Sequence, residues 1–254
     1  NLILFPKATA QMAKTILSPI THARNFLSAG AFAVANGILP GINITPATVA
    51  KSWRSLQVGA PGTRKFNEFY RELAELGVVN TNVRLGDLSA LLKDVDFGSV
   101  VSADRGLRGL LKPLSKLKNW TQDAYTAEDD FWKIITFIGE RARLEKAYLK
   151  VGYKLGKTKE AVRKALNEEA ADIVRNNVPN YDYVSQMVKS LRKAPVGNFV
   201  SFPAEILRTS VNIVDRALTE INKTVIVGGK EFKPLAAIGY QRLAGMAFTT
   251  AAVP

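Results

Sequence analysis

Apolar positions recur at intervals of three and four along most of this chain, the spacing of helices that bury one face. Thr45-Pro46 reads as a cap followed by proline at the first helical position. Val49, Ala50, Trp53 and Leu56 then share a face until Gly59-Ala60-Pro61-Gly62, which predicts a helix over about 46–57. Phe66, Phe69, Tyr70, Leu73 and Leu76 predict a second helix, closed by Gly77. The pattern loosens from 78 to 103, where Asp87 to Lys93 has the composition of a short helix and Gly98 to Ser102 that of an extended link. A boundary is expected there, giving an N-terminal helical region 1–100 and a central and C-terminal helical region 101–254, unless the chain is one domain.

Thr126 followed by Glu128, Asp129 and Asp130 reads as a hydroxyl cap with three acids on the positive end of a helix dipole. The helix predicted from there to about Val151 carries Phe131, Trp132, Ile134, Ile135, Phe137 and Ile138 around more than half its circumference and is therefore central. Its later turns, with Glu140, Arg141, Arg143, Glu145 and Lys146, are expected to be solvated. A helix over about 158–177 turns Val162, Ala165, Leu166, Ala170, Ile173 and Val174 inward, and a shorter one follows from Tyr181 to Lys193. Ser201-Phe202-Pro203 opens a helix on which Leu207, Val211, Val214, Leu218 and Ile221 step by four, three, four and three, a seam suited to close helix pairing. Residues 224–233, with Gly228-Gly229 at the centre, have the composition of a β-hairpin, and Pro234 begins a last helix rich in Ala and Gly. The fold class is all-α, an irregular bundle of about eight to ten helices with one small hairpin near 224–233.

Composition narrows the chemistry. The 254 residues include no Cys and a single His, which removes disulfides, thiolate metal sites, cysteine nucleophiles and any site needing two imidazoles. His22 has no Ser, Asp or Cys context that would make it a base. Adjacent carboxylates such as Glu128 to Asp130, or Glu168 and Glu169, point about 100° apart on a helix and do not converge by themselves; the latter pair is expected on a solvated face. Gly228-Gly229 lacks the setting of a phosphate-cradling loop. No catalytic residue, cofactor site, metal site or small-molecule substrate is therefore expected. Phe26 to Leu39 and Gly239 to Val253 are small and apolar but fall short of the roughly 20 residues that span a bilayer, and Gln241 and Arg242 make unassisted insertion costly.

The 35 Lys and Arg outnumber the 22 Asp and Glu, a net charge of +13, which suits nucleic acid, an anionic membrane surface or an acidic partner. Arg105, Arg108, Lys112 and Lys116, spaced three, four and four, align on one helical face beside a leucine face, with Trp120 as an interfacial anchor. These are the candidate membrane or anion contacts, although Pro113 is expected to kink or divide that helix near Leu111. Lys146, Lys150, Lys154, Lys157, Lys159, Arg163 and Lys164 cluster about a predicted inter-helix loop and are the candidate nucleic-acid contacts. Both apolar ends of the chain read as interruptions of a longer polypeptide.

Three segments carry a resemblance. Lys14 to Phe26 (KTILSPITHARNF), Glu128 to Lys133 (EDDFWK), and Val196 to Ile206 (VGNFVSFPAEI) with Arg208-Thr209-Ser210 resemble stretches of very large tailed-phage proteins, the internal virion or ejection proteins and large polyvalent proteins. The resemblance implies a helical middle portion of a far longer protein, carried inside the virion, delivered with DNA, and then present in the host envelope or cytoplasm. It implies a structural and assembly role without catalysis, with other virion proteins or further copies of the chain, phage DNA and an anionic membrane surface as partners. A basic nucleic-acid-binding helical module is the alternative, and an enzyme such as a lytic domain the third, disfavoured reading.

Overall fold

The computed structural model describes residues 19–57, 62–79, 105–179 and 201–252. Among them stand seven helices: α1 (Pro19–Ala35), α2 (Pro46–Leu56), α3 (Arg64–Glu75), α4 (Arg105–Lys150), α5 (Lys159–Asn177), α6 (Ser201–Asn222) and α7 (Ala236–Ala252), with strands β1 (Val225–Val227) and β2 (Lys230–Phe232) between the last two. The chain is mainly helical with one small hairpin, as the periodicity predicts, and the helix number is below the eight to ten expected. The predicted elements at 87–93, 98–102 and 181–193 lie outside the described residues. Two other predicted helices are one.

That fusion is the main correction to the sequence reading. The 46 residues of α4 run unbroken through both Pro113 and Thr126. A proline removes only its own N–H bond to the carbonyl four residues earlier, here Gly109, and the ladder on either side continues. Thr126 is consequently an interior residue and no cap, and Glu128, Asp129 and Asp130 do not sit on a helix terminus. Asp130 is instead fully buried and accepts a 2.6 Å hydrogen bond from the Tyr70 hydroxyl of α3.

Other boundaries fall where cap chemistry puts them. Thr45 accepts from the Thr48 amide while the Thr48 hydroxyl accepts from the Thr45 amide, a reciprocal box at the start of α2. Thr158 caps α5 through the Ala161 amide. Gly77 takes φ +68 after α3, which lets the Val78 amide reach back to the Leu73 carbonyl at 2.9 Å. In the hairpin Val225, Ile226 and Val227 pair with Phe232, Glu231 and Lys230, and both turn residues, Gly228 and Gly229, have positive φ as the two-residue turn requires.

The chain divides into two units. The first comprises Asn1–Ser28, Thr81–Asp129 and Asn180–Glu205, of which helical stretches at 19–28, 105–129 and 201–205 are described. The second comprises Ala29–Asn80, Asp130–Pro179 and Ile206–Pro254. Its core gathers Ile134, Phe137, Leu144 and Tyr148 of α4, Leu166, Ala170, Ile173 and Val174 of α5, Leu73 of α3, and Leu235 and Ile238 at the start of α7. A smaller cluster joins Ala33 and Ile38 to Phe131 and Ile135. Of the positions predicted inward on α5, Val162 and Ala165 are half-buried and the other four fully buried.

α2 faces the opposite way from its pattern. Val49, Ala50 and Trp53 are exposed, Leu56 is half-buried against the core, and the buried side is made by Ser52 and Ser55. The Ser55 hydroxyl satisfies itself on the Lys51 carbonyl at 2.8 Å, which lets that serine be buried.

The last helix depends on its glycines. A β-carbon on Gly239 would stand 2.5 Å from the Ala217 carbonyl oxygen of α6, and one on Gly245 would collide with the Val34 carbonyl of α1. These two glycines let α7 approach two backbones within van der Waals range. Gly245→Ala is therefore expected to destabilise the fold by about 1–3 kcal/mol in urea titrations, although alanine has the higher helix propensity.

Candidate functional site

The second unit carries charge in its interior. Arg242 of α7 is fully buried, and its five N–H donors are all engaged. Nη1 and Nη2 reach the two oxygens of Glu140 at 2.6 and 2.7 Å, and Nε and Nη2 reach those of Glu220 at 2.7 and 2.9 Å. The remaining Nη1 donor meets Asn36, whose carbonyl lies at 3.2 Å and side-chain oxygen at 3.1 Å. Glu140 also holds Arg143, through Nε at 2.8 Å and a short contact from Nη2, and Arg143 Nη2 bonds the Asn36 carbonyl at 2.8 Å. Asn36 is tied in turn to Asn177 at the end of α5 by a pair of 3.0 Å bonds. Two guanidinia and two carboxylates thus neutralise each other out of water.

The network grades outward along α6. Arg216 bonds Glu220 at 2.9 Å and Glu169 of α5 at 2.8 Å. Lys223 reaches Glu169 at 3.3 Å and the Tyr148 hydroxyl at 2.7 Å, and that hydroxyl donates to the other Glu169 oxygen at 3.3 Å. Burial alone pushes the Glu140 carboxyl up, but the adjacent Arg143 and Arg242 guanidinia outweigh it and hold the group below the usual carboxylate range. Burial also pushes the Tyr148 phenol up, with Glu169 adding to it against Lys223. With all five Arg242 donors and both carboxylates engaged, this arrangement clamps α4, α6 and α7 together.

Three expectations are corrected here. Glu140 and Arg143, read as solvated outer turns, are buried at the centre of the clamp; Glu145 and Lys146 do face solvent. Glu169, expected on a solvated face with Glu168, is enclosed by Arg216, Lys223 and Tyr148, while Glu168 is exposed and pairs with Lys164. Arg242, read from the sequence only as a cost to bilayer insertion, is held by acids inside the fold. The spacing of three between Glu140 and Arg143 is the local signal that could have paired those two residues.

Of the sequence-predicted site residues, Lys146, Lys150, Lys154, Lys157, Lys159, Arg163 and Lys164 are all exposed, on the last turns of α4, the intervening loop and the first turns of α5. Arg163 lies 3.7 Å from Glu72, and Lys164 3.9 Å from Glu168. The other five have no acid within ion-pair distance among the described residues. Arg105, Arg108, Lys112, Lys116 and Trp120 all fall within the unbroken α4, whose register puts the four cations within an arc of about 80°. Their side chains, like that of His22 on α1, lie outside the described ones.

Apolar surface is the other feature. On α6 Leu207, Val211, Val214 and Leu218 are 69, 67, 38 and 49% exposed, while Ile213, Ala217 and Glu220 on the opposite side are buried. Only Ile221, the last of the seam, is covered, by the close approach of Gly239. Ile42, Val49 and Trp53 are exposed at the start of and along α2, and Tyr240 and Phe248 on α7. Among the described residues no group of His, Cys, Asp or Glu is arranged to hold a metal ion, and no helix is long and apolar enough to cross a membrane.

Compared with protein families, curated proteins and solved structures, the chain matches none.

The clamp predicts both a cost and a pH dependence. Arg242→Met leaves Glu140 and Glu220 short of a buried partner and is expected to cost about 3–5 kcal/mol in denaturant unfolding. Because Glu140 is more acidic folded than unfolded, its contribution is complete above the ordinary carboxylate value of 4.5 and is lost as pH falls through the depressed one. An acid titration of stability is expected to show that loss in the wild type and a shallower slope in Glu140→Gln.

Proposed function

We propose that the chain is a non-catalytic structural and assembly segment of a virion protein of the ejection type, which works by packing against other protein chains. The observation that carries this reading is the α6 seam: four apolar residues at steps of four, three and four stand exposed on a helix whose other side is locked into the core. A helical seam of that spacing is the surface another helix fits, in a further copy of the chain or in a neighbouring virion protein. The clamp beneath it supports the reading by fixing α6 from behind, so that a partner meets a preorganised face. Delivery with DNA and contact with an anionic membrane through Arg105, Arg108, Lys112, Lys116 and Trp120 belong to the same proposal and rest on the resemblance and the α4 register.

Sedimentation velocity tests it. The wild type is expected to associate as its concentration rises to roughly 100 µM, and the Leu207→Lys, Val211→Lys double variant to remain monomeric. Both positions are exposed, so the melting temperature of the variant should match that of the wild type. A variant that associates equally removes the seam as the assembly surface, and a wild type that stays monomeric throughout removes a further copy of the chain as its partner.

A second reading has its own observation, the seven exposed cations from Lys146 to Lys164, five of them without an acid in ion-pair distance among the described residues. As a phosphate-contacting surface they predict duplex binding that weakens steeply between about 50 and 200 mM salt. Lys150→Gln, Lys154→Gln, Lys157→Gln together should reduce the log–log salt slope by about 3. An unchanged slope places the contact elsewhere.

A further inference from the structure

Folding changes what the apolar pattern of α6 spells. Its steps of four, three, four and three run in one direction only, but Ile221 is taken up by the close approach of Gly239, and Leu207, Val211, Val214 and Leu218 are what remains outside. That remainder is leucine, valine, valine, leucine at steps of four, three and four, and it reads the same from either end. At about 100° per residue the four side chains fall within an arc of about 60°. A face of this kind is complementary to itself under a two-fold rotation, the operation that builds isologous dimers.

A two-fold axis perpendicular to α6, passing midway between Asn212 and Ile213, turns the helix end for end. It sets Leu207 opposite Leu218 of the second copy and Val211 opposite Val214, so that leucine meets leucine and valine meets valine in each layer. Charge on the flank follows the same symmetry. Arg208 and Asp215 stand on one side of the seam, about 20° apart around the helix. Arg208 is positioned by hydrogen bonds to the Asn176 and Arg175 carbonyls at 3.1 and 3.4 Å, and Asp215 is exposed. The rotation brings Asp215 of each copy alongside Arg208 of the other, whereas a parallel pairing would set Asp215 beside Ser210 and match no opposite charges.

We propose that the occupant of the seam is a second copy of this chain, paired antiparallel through α6 about that axis. This pairing presupposes the seam as the assembly surface and adds its partner, direction and register. Four apolar side chains from each copy make a small contact, at the weak end of specific interfaces, so association is expected at about 100 µM.

Because the chain has no cysteine, engineered thiols report the pairing without background. In the antiparallel register residue 207 lies opposite 218 of the other copy and about 16 Å along the helix from its own counterpart, beyond the roughly 7 Å between α-carbons that a disulfide bridges. Leu207→Cys and Leu218→Cys, both at exposed positions, are therefore each expected to stay unlinked alone in a glutathione redox buffer at about 100 µM, and to form a mixed disulfide dimer when combined, read by non-reducing mass spectrometry. Asp215→Arg, outside the apolar layers, is expected to weaken association in sedimentation velocity about threefold to tenfold, the loss of two exposed ion pairs. Either cysteine variant linking to itself as readily as the mixture links, or an Asp215→Arg chain that associates as the wild type does, overturns the antiparallel register. A monomeric wild type with an unlinked mixture overturns pairing between copies and assigns the seam to a different protein. Association undiminished by Leu207→Lys with Val211→Lys overturns the pairing and the seam together.

Discussion

The second unit is organised around one guanidinium. Arg242 enters from α7 and spans Glu140 of α4 and Glu220 of α6, with Asn36 closing the remaining donor. Removing such groups from water costs several kcal/mol per ion, and only complete hydrogen bonding offsets it. Completeness here demands that elements far apart in the chain arrive together in one geometry. Arg143 supplies the second positive charge, and the Asn36 and Asn177 amides fix the backbone around it. The glycines of α7 belong to the same constraint, since Gly239 and Gly245 allow the helix to lie close enough to α6 and α1 for the guanidinium to reach both acids. A less specific apolar interior would tolerate small shifts of these helices; a forked cation between two forked anions does not.

A polar interior of this kind has a counterpart on the surface. Where α6 spends Glu220 and Arg216 inward, its leucines and valines stand outward. Where α2 buries Ser52 and Ser55, Val49 and Trp53 face solvent. Apolar side chains arranged so regularly on rigid helices suit association with further protein chains, and the proposed assembly role follows from that inversion. The exposed cations lie apart from it, at the α4–α5 corner.

Much of the fold was legible. The cap at Thr45, the stop at Gly77 and the Gly228-Gly229 turn all act as their local chemistry dictates, because each depends on a few neighbouring residues. Pro113 and Thr126 misled for the same reason in reverse: each is a local breaking or starting signal, and the 46-residue helix continues across the single bond that the proline removes. The α6 seam was visible as a pattern, while its exposure was not, since periodicity marks an apolar face without saying what covers it. The clamp was not read from the sequence, where Glu140 and Arg143 pass for a solvated turn and Arg242 for a cost to bilayer insertion. Their union depended on contacts more than a hundred residues apart, such as Arg242 with Glu140, which no local window contains.

The most direct test of this account is a double-mutant cycle across the clamp, with Glu140→Gln, Arg242→Met and their combination measured by denaturant unfolding at neutral pH. If the buried pair fixes α4 to α7, each single change removes most of the stability that the double change removes, and the coupling energy is about 2 kcal/mol or more. Additive losses, with a coupling near zero, would contradict it.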